Sequence, residues 1–118
     1  MSPNASATIK GNQLYPDLFG TVLFYQLPYG VLVNAQFSGL PTVTENGRQH
    51  FLGFHIHEYG DLPPILNCNG YAWQSFLTDK FTVSEILGRS VIVHASADDF
   101  MTQPSGNSGA KIGCGIIN

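Results

Sequence analysis

Two histidines stand two residues apart, His55 and His57, inside the run GFHIHE at 53–58. Alternation along a β-strand points both imidazoles to one face and sends Phe54 and Ile56 to the other. Histidine is the commonest side-chain metal ligand, and two rings from one strand can grip a single ion. A third histidine, His94, ends another strand-like run, SVIVH at 90–94. Three of the four histidines therefore sit in strand contexts that can converge on a metal. The short H-x-H pattern alone fits surface or core histidines equally well. The fourth, His50, is an odd number of residues from His55, so regular pleating points it away. A bulge near Gly53 would be needed to redirect it.

Strands must position these rings, and the composition supports strands. The chain has 118 residues, which suits one domain over 1–118. Hydrophobic residues make up 43% and charged residues 11%, enough apolar content for a packed core. With 13 Gly and 7 Pro the chain is rich in turns, which points to an all-β sandwich or barrel. Strands are predicted at 7–10, 20–27, 30–38, 50–58, 62–67, 71–77, 90–94 and 111–117. The segments 20–27 and 30–38 form a hairpin around Pro28-Tyr29. A second hairpin is predicted about the turn at 67–70. Residues 83–88 read as one helical turn closed by Gly88. The eight strands fit a Greek-key sandwich.

Other classes are disfavoured. The net charge is −3 with no basic run, so no nucleic-acid partner is expected. No apolar stretch approaches membrane-spanning length. Residues 1–8 lack the basic and apolar segments of a signal peptide, so a cytoplasmic location is expected. Cys68 and Cys114 are too few for a disulfide scaffold and in the cytosol would usually stay reduced.

Three stretches in order, GFHIHE at 53–58, GRSVIVHASADD at 88–99 and GNSGAKIGCGII at 106–117, resemble the copper/zinc superoxide dismutases. GDLPP at 60–64 and TQPSG at 102–106 look like the cytoplasmic bacterial branch of that family. The resemblance covers nearly the whole chain. It implies an immunoglobulin-like Greek-key barrel and a copper site built by His55, His57 and His94. It sets Asp98 in the place of the carboxylate whose hydrogen bonds orient metal-bound imidazoles. It sets Lys111 in the place of the catalytic arginine that holds superoxide beside copper. Lysine keeps the charge there and loses the planar two-pronged donor. Read without the family, Asp98 and Asp99 fit a loop start, and Lys111 a solvated side chain.

The family keeps a long loop after its H-x-H strand. That loop carries the histidine bridging copper and zinc, two more zinc histidines and a disulfide cysteine. Here only Tyr59-Gly60 separates Glu58 from Asp61. Aligned so, Asp61 is a remnant of the zinc-binding aspartate without its histidine partners. Cys114 then matches one disulfide cysteine, and Cys68, in a turn, matches the other poorly. A second alignment sets Gly60-Asp61 just after the copper strand and Cys68 beside the loop cysteine, with Ala72 where the bridging histidine belongs. Neither leaves a bridging histidine. Copper is the expected cofactor and zinc is not.

The implied reaction disproportionates superoxide to oxygen and hydrogen peroxide, impaired here by the missing loop. The alternative is a non-catalytic copper-binding protein or a loop-deleted scaffold. A third reading is an interaction domain. The expected assembly is a monomer or weak homodimer, and the tight 58–61 connection would favour domain swapping.

Overall fold

Alternating burial organises the first three strands of the computed structural model, which describes residues 2–41, 51–95 and 110–118. β1 (Ala5–Gly11), β2 (Phe19–Leu27) and β3 (Gly30–Ser38) turn alternate side chains inward. Ile9, Val22, Phe24, Val31 and Val33 on these strands are fully buried. Each such side chain removed from water contributes about 1.5–3 kcal/mol. The predicted hairpin forms, with Leu27 opposite Gly30.

β4 (Phe51–Ile56) buries Leu52, Phe54 and Ile56 and leaves His55 on the outer face. A tight return follows. Tyr59 N–H donates to Ile56 O, and the backbone pairs again at Gly60 through β5 (Gly60–Asp61). Pairing along the same edge of β4 resumes at β6 (Ile65–Leu66), with Leu52 opposite Ile65. Between β5 and β6 the register slips by one residue at Pro63-Pro64. Proline lacks the N–H a ladder needs, so it falls at a bulge or an edge. The predicted strand at 62–67 is thus the second half of an arm that begins at Gly60.

The turn at 67–70 forms as predicted, with Cys68 bridged to Tyr71. Buried Asn67 fixes it by donating to Pro41 O at 2.6 Å and accepting from Gly70 N–H at 2.8 Å. The hairpin expected around it does not. β6 pairs with β4, whereas β7 (Ala72–Thr78) pairs with β3 along its whole length. Burial of both Leu52 and Ile65 decides that choice, and the turn does not encode it.

The one-turn helix α1 (Val83–Ile86) opens with a capping box, Thr82 N–H donating to Glu85 Oε1 at 2.8 Å. Gly88, at φ +83, carries the chain out of it. β8 (Ser90–His94) and β9 (Lys111–Ile116) complete the set. Among the described residues the strand order is β5-β4-β8-β9-β1-β2-β3-β7, with β6 on β4. The chain crosses from β3 to the far side at β4, returns to β3 at β7, and crosses again to β8. That is an all-β, antiparallel Greek-key sheet curled into a half-barrel. Across the core Phe37 meets Phe54 edge-on, with centroids 5.7 Å apart. Gln74 ties the two ends, accepting from Leu66 N–H and donating to Pro63 O.

Candidate metal centre

The outer face of β4, β8 and β9 collects the polar residues. Cross-strand register runs Asp61, His55, Ile92, Cys114, Lys10 in one row. The next row runs Gly53, His94, Lys111. A bulge between Val93 and His94 brings Lys111 opposite His94.

Gly53 offers no side chain opposite His94, and the two imidazoles close across the diagonal. Nε2 of His55 lies 2.8 Å from Nε2 of His94, with the rings stacked at 4.9 Å and 17°. Without a metal, one ring holds the proton and the other accepts it. Both rings are part-buried, so the pair is shielded but reachable.

His57 follows the last residue of β4 and keeps the ladder through its N–H to Ser90 O. Its side chain is 61% exposed, and Nδ1 stands 3.7 Å from Glu58 Oε1. Glu58 takes φ +71, a left-handed value costly for a residue with a Cβ. Its carboxylate accepts from Arg89 at 2.6 Å, and the guanidinium lies 5.0 Å above the Tyr59 ring. The hydrogen bond to Glu58 is the main cause raising the Arg89 pKa, against a smaller opposing effect of desolvation.

The structure thus brings His55 and His94 together, sets Lys111 beside them in register, and holds His57 at the rim. Asp61 sits across from His55 and accepts from Lys80 Nζ through its carbonyl. Asp98, Asp99 and His50 lie outside the described residues. Cys68 and Cys114 are both free thiols and both exposed. No cluster of three or more metal-ligating side chains occurs among the described residues. Arg89 was not singled out by the sequence, and Gly53 entered only as the place for a bulge that would redirect His50. No spacing rule links positions 31 apart, as Glu58 and Arg89 are.

The profile of the copper/zinc superoxide dismutase (SODC) family matches residues 58–117, just over half of the chain. The chain belongs to the copper/zinc superoxide dismutase family. The matched span contains Asp61, His94 and Lys111; His55 and His57 precede it. Three relatives named superoxide dismutase [Cu-Zn] are similar to it. The one from Legionella pneumophila is 27% identical over 135 aligned positions, covering 86% of this chain and 79% of that protein. The one from Deinococcus radiodurans is 41% identical over 62, covering 49% of this chain and 34% of that protein. The one from Photobacterium leiognathi is 34% identical over 61, covering 49% and 35%. The last two matches span only about a third of the relatives' length.

The donor set suits the family's copper. Two imidazole nitrogens 2.8 Å apart can both reach one ion at the metal–nitrogen distance of about 2.0–2.1 Å. Copper binds nitrogen donors more tightly than other divalent first-row metals.

Proposed function

We propose that this chain binds copper through His55 and His94, completed by His57, and disproportionates superoxide weakly. The carrying observation is the Nε2–Nε2 approach of 2.8 Å on the outer face of a family member. When bound, the metal would supply the electron shuttle that turns superoxide into oxygen and peroxide. The protein's own part is narrower. His55 and His94 bring two ring nitrogens within reach of one ion, and their neutral forms are required to bind it. Lys111, opposite His94, offers one cation to hold an anion there. Zinc is not part of this reading, because the sequence holds no histidine between His57 and His94 to join Asp61.

The short connection after β4 supports the impaired reading. Only His57, Glu58 and Tyr59 lie between the paired residues Ile56 and Gly60, leaving no room for a zinc-binding loop or a bridging histidine there. The Legionella alignment, at 135 positions against 118 residues, contains positions this chain lacks. Glu58 and Asp61 flank the histidines, and the net charge is −3, so an anionic substrate is steered poorly.

Copper titration followed by a superoxide-consumption assay tests the reading. One tightly bound copper per chain with slow but copper-dependent consumption is expected. Copper binding without turnover would leave a non-catalytic copper-binding protein or loop-deleted scaffold. Tight one-to-one zinc binding in preference to copper would sink the proposal.

A further inference from the structure

On the other half of the strand order, the outer face of β2, β3 and β7 carries an open groove of about 620 Å³. Trp73 on β7 is 73% exposed, Tyr71 just before that strand is 67% exposed, and Phe19 on β2 is 49% exposed. Isolated exposed apolar side chains are ordinary, but three aromatics on one groove mark a binding surface.

The groove's polar lining narrows what it takes. Among the described residues no charged side chain lines it. That argues against phosphates, nucleic acid and charged peptides, which need opposite charge. Gln36 sits directly opposite Trp73, Thr21 opposite Gln36, and Ser38 opposite Phe19. Asn34, two residues from Gln36 along the same face, spends its amide on Ser75 Oγ at 3.1 Å. The side chains of Gln36, Thr21 and Ser38 make no such bond among the described residues. A purely apolar partner would strand these donors and acceptors without hydrogen bonds. A ligand with an apolar face and a rim of neutral hydroxyls satisfies both.

We propose that this groove binds a neutral sugar ring, stacked on Trp73 and Tyr71 and hydrogen-bonded by Gln36, Thr21 and Ser38. The C–H face of a pyranose packs on an aromatic plane, and its hydroxyls complement uncharged amides and alcohols. The ladder from Val31–Thr78 to Phe37–Ala72 holds the platform rigid, so little ordering is needed on binding. The site is separate from the histidine face and does not depend on copper.

Trp73 is the single tryptophan, so its emission reports the groove directly. The full chain is titrated with neutral cello-, malto- and manno-hexaose and with an anionic hexauronate. Saturable change with at least one neutral hexasaccharide, and none with the hexauronate, is expected. By calorimetry, Trp73→Ala should abolish that binding and Gln36→Ala weaken it about tenfold. Circular dichroism confirms that these surface variants fold. No response to any neutral hexasaccharide at millimolar concentration overturns the proposal. So does concentration-dependent dimerisation that disappears in Trp73→Ala, which would make a second copy of the chain the occupant.

Discussion

Nε2 of His55 and Nε2 of His94 meet at 2.8 Å although the two residues are not register partners. His55 faces Ile92 and His94 faces Gly53, so the rings converge across a diagonal that long side chains can span. His57, on the same face, spends its reach on Glu58 instead.

This asymmetry predicts unequal ligands. His55→Ala and His94→Ala should each lower copper affinity at least about 100-fold, since losing even an outer partner of a ligand costs 10–100-fold. His57→Ala should cost less than about tenfold, because its ring must first leave the rim. Titration against a competing chelator measures all three. Equal losses would show that His57 swings in as a full ligand.

Glu58 combines a left-handed backbone with an exposed ion pair to Arg89. Exposed pairs contribute about 0–1 kcal/mol, so Glu58→Gln should lower stability by no more than that, and by less in high salt. Glu58→Gly loses the same pair but relieves the backbone. It should be about 0.5–1 kcal/mol more stable than Glu58→Gln, the left-handed penalty outweighing glycine's entropy. Urea midpoints compare the two; a less stable glycine variant would show that the turn is not strained.

Parity was the legible part of this molecule. Buried Phe54 and Ile56 against outward His55 and His57 follow from the period of two, and so do the β2–β3 hairpin and the strand 90–94. Strand context raised His94, resemblance located the family and raised Lys111, and the register sets these two residues opposite each other. Three things were not readable. Two-residue β5 has no periodicity to detect. β6 pairs with β4 because Ile65 packs beside Leu52, a contact that no local turn signal encodes. The closeness of His55 to His94 depends on Gly53 standing opposite His94, a matter of register between strands 35 or more residues apart.

The Phe37–Phe54 contact joins β3 to β4 through the core, where no backbone pairing connects them. Phe54 is 2% exposed, and truncating such a ring costs about 3–5 kcal/mol. Phe54→Ala should therefore lower the urea midpoint sharply, and Phe54→Leu by much less. Because Phe54 neighbours His55 on β4, copper affinity in Phe54→Leu reports whether the core positions the histidine. An unchanged midpoint in Phe54→Ala would contradict the packing.

Gly115 stands where β9 crosses β1. A Cβ placed there would lie 2.0 Å from the backbone oxygen of Thr8, a contact no rotamer can relieve. Alanine must push the two strands apart, and overpacking against rigid backbone costs about 1–3 kcal/mol or more. The strain would not stay local, because β9 also pairs with β8 and carries Lys111 opposite His94. Gly115→Ala should thus lower stability by at least about 2 kcal/mol and, in the fraction that folds, weaken copper binding as well. Thermal unfolding gives the first quantity and chelator competition the second. The control is Ile116→Ala, on the same strand but exposed, which should change stability by less than about 1 kcal/mol and leave copper affinity intact. If Gly115→Ala matched that control, β9 would not approach β1 as closely as the structure places it.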